Sequence, residues 1–432
     1  MKILITNTVA LNVGDAAILK GAIKLLQFTF GADTEFVIYD NQPEAAQKYY
    51  PNLKFRRLMY LQGITANKFK HPARPLRFLN RLRVKFALNL WNWNLPFFAR
   101  AILINEEWET LLEYKDADLV VSTGGTYLVE DYFLYPRIFD YEMALLLKRP
   151  LMFFTQSLGP FHLPYNQRIF KQIFNQSPLI LLRDLRSQNH LLTIDVLQNN
   201  MHVVPDTAFA LSDPIAIAKS QKISHLPISP KIAISVRKWT LFKTIDPVLG
   251  QEKYLRAIRD LTIHLVDHYQ AKITFVSTCQ GIPEYALDDS DVALEIFREL
   301  PSNIAKFVTV NQEFHPPEEL AKLLKNYDMA IATRLHMAIL SLGAGVPVLP
   351  IAYEFKTKEL FSKLGQGKWA VDIEEIESES LIDLADQFLA QFPEICRDLF
   401  PFVQQEQEKI FATSSLIKQV HEEFQKSVSL KS

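Results

Sequence analysis

Cysteine is scarce in this chain of 432 residues, which contains Cys279 and Cys396 alone. Two cysteines exclude a small secreted domain held together by disulfides, and they exclude a zinc cluster built on cysteine ligands. A chain with so few thiols suits a reducing compartment. We therefore expect the protein to work in the cytoplasm.

Long apolar runs are lacking as well. The longest, residues 337–353, contains two glycines and two prolines and is shorter than the roughly 20 residues that span a bilayer. The apolar start at residues 3–5 is too short for the apolar region of a signal peptide. We therefore expect neither a membrane-spanning helix nor a targeting segment.

Signatures of several catalytic and metal sites are absent. The chain has no Walker-type glycine loop and no Gly-x-Ser-x-Gly turn, and residues 343–345 lack the third glycine of a dinucleotide fingerprint. His264 and His268 stand four residues apart, but no third ligand completes a metal site. We expect no metal and no bound cofactor.

Acidic side chains are missing from residues 45–105, although this segment holds twelve of the 47 Lys and Arg residues. Cations beside Trp and Phe are typical of proteins that bind a membrane surface or an anionic lipid-linked partner. The alternative is a solvated face of an inserted helical segment. A single-stranded nucleic-acid groove uses similar chemistry. The overall formal charge of -1, however, argues against a nucleic-acid partner.

The cations of this basic insert are Lys48, Lys54, Arg56, Arg57, Lys68, Lys70, Arg74, Arg77, Arg81, Arg83, Lys85 and Arg100. The aromatic residues among them include Tyr60, Phe69, Phe78, Phe86, Trp91, Trp93, Phe97 and Phe98. We expect the last four to enter the interface of the cytoplasmic membrane at its inner face, where the protein would be peripheral.

Elsewhere, apolar runs typical of buried strands alternate with amphipathic helical patterns, which predicts α/β domains with parallel sheets. The fold class that we expect is two Rossmann-like, doubly wound domains facing a cleft, with C-terminal helices. The predicted domains are residues 1–213, which include the basic insert, residues 231–380, and a helical tail at 381–432 that is split near Pro401. Residues 213–230, with three prolines, predict a linker.

Polar residues cluster just after the predicted strands, where ligands bind in such sheets. Arg334, Leu335 and His336 follow the strand at 329–332 and begin a helix. A helix N-terminus with an arginine fork suits a phosphate or carboxylate, and histidine can move a proton near neutral pH. Arg237 follows the strand at 231–236. The alternatives are a structural histidine and arginines that form structural ion pairs.

The first half offers a second set of candidates. Gly124 and Gly125 follow the strand at 118–122 and would let a ligand approach the backbone closely, although a tight turn explains them equally well. Glu130 and Asp131 lie just beyond, as a carboxylate base or as part of a solvated loop. Asn12 and Asp15 lie in a turn after the first strand, with Asp15 predicted as a helix N-cap.

Seven motifs in order resemble the polysaccharide pyruvyl transferase family. They are Asn12-x-Gly14-Asp15, Gly124-Gly125, Gln156-Ser157-Leu158-Gly159-Pro160, Arg183-Asp184-x-x-Ser187, Asp206-Thr207-Ala208-Phe209, Ile234-Ser235-Val236-Arg237, and Arg334-Leu335-His336 followed by Gly343-Ala344-Gly345-Val346-Pro347. The resemblance implies two Rossmann-like domains in the GT-B arrangement. It also implies transfer of pyruvate from phosphoenolpyruvate, a co-substrate, onto a sugar of a cell-surface polysaccharide or its lipid-linked precursor, forming a ketal.

This reaction assigns roles to the candidate residues. Arg237, Arg334, Leu335 and His336 would bind the donor, with His336 as general acid and Asp15 as the first candidate for the base. The predicted acceptor-binding residues are Asn12, Gly124, Gly125, Glu130 and Asp131. Two alternatives remain open at this point: a GT-B glycosyltransferase that grips the ribose of a nucleotide sugar through Glu354 or Glu359, and a non-catalytic protein that binds a sugar or lipid carrier.

Overall fold

The structure, a computed structural model, describes residues 1–62 and 74–429. Contacts divide the chain into two compact units. The first consists of Met1–Ala10, Ala22–Thr207 and Lys409–Ser432, and the second of Leu11–Gly21 and Ala208–Glu408. Within the described residues, no helix is both long and apolar enough to cross a bilayer.

The first unit contains an eight-stranded parallel sheet in the order β3-β2-β1-β4-β6-β7-β8, with β5 paired to β6. Its strands are β1 (Lys2–Thr8), β2 (Glu35–Asp40), β3 (Phe55–Arg57), β4 (Leu119–Ser122), β5 (Gly125–Leu128), β6 (Leu151–Leu158), β7 (Leu179–Leu182) and β8 (Met201–Val203). The central strands are buried along their length, which explains why they appear in the sequence as continuous apolar runs.

Eight helices, counted over the described residues, accompany this sheet in sequence. They are α1 (Val13–Phe30), α2 (Pro43–Tyr49), α3 (Arg74–Asn92), α4 (Pro96–Ile102), α5 (Asn105–Asp116), α6 (Tyr135–Leu146), α7 (Pro164–Gln176) and α8 (Leu185–Leu192). Helix α1 is divided between the units, because its first residues are counted with the second. Proline stands at the first or second position of α2, α4, α6 and α7, where its missing N–H costs nothing.

The second unit contains a six-stranded parallel sheet in the order β11-β10-β9-β12-β13-β14. Its strands are β9 (Lys231–Ser235), β10 (Lys272–Phe275), β11 (Val308–Val310), β12 (Met329–Ala332), β13 (Val348–Ala352) and β14 (Val371–Asp372). This order is that of the doubly wound dinucleotide-binding sheet, in which the strand order reverses between the first and fourth strands. Here these strands are β9 and β12.

The helices of this half follow the same alternation. They are α9 (Pro214–Ser220), α10 (Pro247–Tyr269), α11 (Asp289–Arg298), α12 (Ser302–Ala305), α13 (Pro317–Leu324), α14 (Leu335–Gly343), α15 (Phe355–Lys363), α16 (Ser378–Ala390) and α17 (Phe392–Ser429). The carboxylates of Asp213, Asp246 and Asp288 cap α9, α10 and α11 by accepting backbone N–H bonds, which satisfies donors that a helix leaves unpaired at its start.

The predicted split of the tail near Pro401 is wrong. Helix α16 ends before Gln391, and α17 continues through Pro401. A proline inside a helix removes one hydrogen bond, but Leu399, Phe400 and Val403 are fully buried in the core of the second unit. Burial of these three side chains outweighs the lost bond.

Candidate active site

The reversal of strand order in the second sheet places two predicted arginines at one crevice. Arg237 follows β9 and Arg334 follows β12, and these strands are neighbours. Ligands of open α/β sheets bind outside the carboxyl ends of strands at this point of reversal. The hydroxyl of Tyr254, on α10, joins the two strand ends: it lies 2.8 Å from Thr333 Oγ1 and bonds the backbone of Arg237.

Arg334 is held rigidly by a buried carboxylate. Its Nε and Nη2 atoms donate to the two carboxylate oxygens of Asp289 at 2.9 and 2.6 Å, and both residues are buried. Ser277 Oγ donates to the same carboxylate at 2.5 Å. Burial alone would lower the pKa of Arg334, but Asp289 outweighs it and holds that pKa well above its ordinary value. Arg334 is therefore charged at all working pH values.

This ion pair determines which donors of Arg334 remain for a ligand. A guanidinium has five N–H donors, and the Nε and Nη2 side of the fork is occupied by Asp289. The positive charge is balanced by one carboxylate. Arg334 can therefore offer Nη1 to an anion, but the pair as a whole contributes little net charge.

Arg237 has different surroundings. Its guanidinium carbon lies 4.1 Å from the ring centroid of Tyr353 and 5.0 Å from that of Trp239, and the two rings pack at 4.7 Å. Arg237 is only half-buried, and among the described residues no carboxylate forms an ion pair with it. Stacking on two rings fixes the plane of the guanidinium. Arg237 thus supplies an oriented positive charge that no ion pair among the described residues balances.

The turn at Asn12 belongs to the second unit. Asn12 Oδ1 accepts the N–H of Gly14 at 2.9 Å, and the N–H of Val13 donates to the carbonyl of Thr278 at 3.0 Å. Asn12, rather than Asp15, therefore caps α1, and the predicted N-cap at Asp15 is wrong. The amide of Asn12 reaches the helix from just before its start, whereas Asp15 lies within the first turn.

The same turn brings α1 against His336. A Cβ atom placed on Gly14 would lie 2.9 Å from His336 Nδ1 and 3.0 Å from His336 Cβ, so only glycine allows this approach. His336 is the second residue of α14, and its Nε2 atom is buried. Leu335, the first residue of α14, lies at the helix N-terminus, where backbone N–H groups have no partner within the helix.

Cys279 and Tyr285 lie in the electrostatic field of these charged groups. Burial raises the pKa of the Cys279 thiol to about 12. Arg334 and Arg237 act to lower that pKa, and Asp289 and Asp15 act to raise it. Burial also raises the pKa of Tyr285, with Cys279 and Asp15 contributing in the same direction. Cys279 is therefore a buried neutral thiol within range of both arginines and both carboxylates.

The remaining predicted residues lie in the first unit. Gly124 and Gly125 are buried at the start of β5. Glu130 accepts the N–H groups of His162 and Leu163 at 2.9 Å and the amide of Asn166 at 2.8 Å. Burial acts to raise the pKa of Glu130, but these three hydrogen bonds together outweigh it and lower that pKa. These contacts hold the start of α7, whereas Asp131 is exposed.

A polar cluster in the first unit escaped prediction. Arg137 donates from Nε to Asn7 Oδ1, and Asn7 Nδ2 donates to the carbonyl of Thr123 at 3.2 Å. Asp140 is fully buried and accepts from Thr6 Oγ1 at 2.6 Å, and burial raises its pKa to about 7. Arg137 and Asp140 stand on α6 with ordinary helical spacing, and no local pattern indicates that they are buried.

His264 and His268, noted for their spacing, have structural contacts. His264 Nε2 lies 2.8 Å from Asp386 Oδ1, and the two imidazole rings stack at 4.1 Å. Within residues 1–62 and 74–429, no group of three His, Cys, Asp or Glu side chains could hold a metal ion.

Comparison with known proteins decides the family. The sequence model of the polysaccharide pyruvyl transferase family matches residues 12–354. The chain belongs to this family. It is 27% identical over 420 residues to the amylovoran biosynthesis protein AmsJ of Erwinia amylovora, covering 94% of this chain and 96% of that protein. The protein is thus a transferase of polysaccharide biosynthesis.

Solved structures establish the fold class of this pyruvyl transferase family member. HepE of Anabaena in complex with UDP-glucose superposes with a TM-score of 0.52 and 12% identity, over 99% of each chain. Sucrose-phosphate synthase of Thermosynechococcus elongatus gives a TM-score of 0.53 and 14% identity, over 99% of this chain and 100% of that one. The predicted GT-B-like fold class, with two Rossmann-like units and C-terminal helices, is confirmed. The predicted domain boundaries stay a prediction.

Proposed function

We propose that the protein transfers pyruvate from phosphoenolpyruvate onto two hydroxyls of a sugar, forming a ketal and releasing phosphate. The observation that carries the proposal is the position of Arg237, at the point where the strand order reverses. Among the described residues, no carboxylate forms an ion pair that balances its charge. The start of α14, with Leu335 and His336, follows the adjacent strand. Phosphoenolpyruvate carries a phosphate and a carboxylate, which match an oriented arginine and a helix N-terminus.

The donor-binding residues have distinct tasks. Arg237 provides net charge and a guanidinium plane fixed by Tyr353 and Trp239. Arg334 provides the donors of Nη1 while Asp289 fixes its position. The N–H groups at the start of α14 add dipoles aimed at an anion. Together these groups stabilise the charge that accumulates on the departing phosphate.

The chemistry is a balanced addition and displacement. His336 donates a proton to the methylene carbon of phosphoenolpyruvate, which leaves an oxocarbenium-like centre at the neighbouring carbon. A sugar hydroxyl adds to that carbon, and its proton passes to Asp15. The bond between this carbon and the phosphate oxygen then breaks and phosphate leaves. A second hydroxyl of the same sugar closes the ketal, and its proton passes to the departing phosphate. General acid catalysis of this type contributes about 10²–10⁴ in rate.

The acceptor remains a sugar of a cell-surface polysaccharide or its lipid-linked precursor. Asn12, Gly124, Gly125 and Asp131 stay predictions as acceptor-binding residues. Glu130 is a weaker candidate for the base than Asp15, because three donors already hold its carboxylate. The reaction is proposed to occur in the cytoplasm, and needs no metal because arginines stabilise the phosphate.

Isotope transfer tests the proposal. The protein is incubated with phosphoenolpyruvate labelled with ¹³C at all three carbons and with envelope polysaccharide from a host that lacks this gene. We expect the label to enter the polysaccharide with equimolar release of phosphate, and we expect a ketal carbon in the ¹³C spectrum.

The test variant is His336→Gln, which should slow label transfer about 10²-fold or more. The control variant is Glu299→Gln, which changes an exposed ion pair that has no assigned role in the reaction. Transfer of sugar from UDP-glucose in place of pyruvate from phosphoenolpyruvate would overturn the proposal. Equal transfer rates in the wild-type protein and in His336→Gln would overturn the assignment of His336 as the general acid.

A further inference from the structure

Helices α3 and α4 of the first unit expose a set of large apolar side chains. Phe78, Leu82 and Phe86 are spaced four residues apart, so they stand on one face of α3, and they are 59%, 47% and 52% exposed. Phe97 and Phe98 of α4 are 78% and 56% exposed. We call the whole set the aromatic face, and its members are Phe78, Leu79, Leu82, Phe86, Trp93, Leu95, Phe97 and Phe98.

The aromatic face is not needed to hold α3 in place. The helix packs on the core through a different face, on which Val84, Ala87 and Leu88 are buried. Trp91, which the sequence predicted to enter a membrane interface, instead packs against Trp108 with ring centroids 5.6 Å apart. An amphipathic helix of a globular unit normally presents polar side chains on its outer face. A second apolar face that points to solvent marks an interaction surface.

The charges around this face are basic. Residues 45–105 contain no Asp or Glu. Arg81 and Lys85 share one carboxylate, Glu142, at 2.8 and 2.6 Å, and Arg83 pairs with the buried Glu107. The shared carboxylate leaves a net positive charge on α3. The cations Lys68 and Lys70 and the aromatic Phe69 lie outside the described residues.

We propose that the aromatic face docks on the interface of an anionic lipid bilayer. Exposed Phe and Leu on one side of a helix, beside Arg and Lys that outnumber the carboxylates paired with them, are typical of helices that lie in the headgroup region. Anionic lipids complement the net positive charge of α3. The inference does not depend on the proposed donor, because no residue of the aromatic face belongs to the second unit.

A second copy of the chain is a poorer occupant. A two-fold dimer through this face would set identical patches against each other. Because the cations beside the patch outnumber the carboxylates paired with them, like net charges would then meet in a partly desolvated interface, which is unfavourable. A bilayer surface supplies both the apolar layer and the opposite charge.

Vesicle flotation tests the inference on the full-length protein. Vesicles of phosphatidylglycerol and phosphatidylcholine in equal parts are compared with vesicles of phosphatidylcholine alone. Both are tested at low salt and at 1 M salt, where the electrostatic screening length falls to about 3 Å. We expect the wild type to float with the anionic vesicles at low salt. Floating protein should decrease at high salt without disappearing, since the aromatic contribution does not depend on salt.

The decisive variant is Phe86→Gln/Phe97→Gln/Phe98→Gln, which changes side chains that are more than half exposed and should fold normally. Each aromatic group that leaves the interface should weaken partitioning severalfold, so we expect a loss of at least about tenfold. The matched control is Leu197→Gln/Ile228→Gln, because these side chains are 61% and 94% exposed and lie outside the aromatic face. The control should float like the wild type.

Three results would overturn the inference. The wild type could stay in solution with both kinds of vesicle. The triple variant could float as well as the wild type. Sedimentation velocity could show a dimer of the wild type that the triple variant lacks, which would identify a second copy as the occupant. Circular dichroism of the triple variant verifies that the loss of flotation is not loss of folding.

Discussion

The buried pair of Arg334 and Asp289 makes the sharpest prediction for stability. Asp289→Asn keeps the shape of the side chain but removes the negative charge, and leaves the guanidinium of Arg334 buried without its counter-charge. Removing one partner of a buried ion pair costs about 3–5 kcal/mol. For a unit of this size that corresponds to a fall in Tm of about 6–20 °C.

A double-mutant cycle separates the interaction from the general cost of substitution. The variants are Asp289→Asn, Arg334→Gln and the double variant, measured by urea unfolding and thermal melting. The double variant leaves no buried charge, so it should be more stable than the sum of the single effects implies, by about 1–3 kcal/mol. The control is Glu299→Gln, which removes the exposed partner of Arg259 at 2.8 Å and should cost at most about 1 kcal/mol.

Additive single effects would refute this account of the pair. So would a cost for Asp289→Asn no larger than that for Glu299→Gln. Either result would mean that Arg334 is solvated in the working protein and offers its whole fork to the ligand. The donor would then be bound by two arginines whose charges no carboxylate balances, Arg237 and Arg334, and not by Arg237 alone.

Three further predictions concern other parts of the molecule. Gly14→Ala should reduce turnover at least about tenfold in steady-state kinetics while Tm changes little, because the added Cβ displaces His336; unchanged turnover would contradict the approach of α1 to the imidazole. Arg237→Ala should raise KM for phosphoenolpyruvate about tenfold to a hundredfold, and Arg237→Lys should recover only part of the loss because lysine cannot stack on both rings; normal kinetics in both variants would contradict the donor assignment. Asp140 has a folded pKa raised by burial to about 7, so the neutral carboxyl is favoured in the folded state and stability falls as pH rises from about 4 to about 7. Asp140→Asn should therefore gain Tm over wild type progressively between about pH 4 and about pH 7, with Thr6 still able to donate to the amide oxygen. A pH-independent difference would contradict the buried titration.

Much of the fold could be predicted because strands of a parallel sheet are buried on both faces. Strands β7 and β12 are buried along their length and appear in the sequence as uninterrupted apolar runs. Strand β5 was not predicted because it begins at Gly125 and is only half-buried in the middle. The continuous α17 was not predicted because a proline normally ends a helix, and only the tertiary burial around Pro401 reverses that rule.

The candidate site was predicted in part for a related reason. Arg237, Arg334 and His336 stand directly after strands, and chain topology alone brings such residues to one edge of a sheet. Asp289 and Tyr353 were missed because their roles depend on contacts across the fold: Asp289 lies 45 residues from Arg334 in sequence. The contact of Gly14 with His336 likewise joins distant parts of the chain, and no local pattern indicates it.

The central claim is that the crevice of the second unit takes phosphoenolpyruvate through Arg237. Isothermal titration of the wild type and of Arg237→Ala with phosphoenolpyruvate, and with UDP-glucose as the competing ligand, tests it most directly. The account predicts that phosphoenolpyruvate binds the wild type, that Arg237→Ala binds it about tenfold to a hundredfold more weakly, and that UDP-glucose does not compete. Equal affinity of both proteins for phosphoenolpyruvate, or displacement of phosphoenolpyruvate by UDP-glucose, would contradict it.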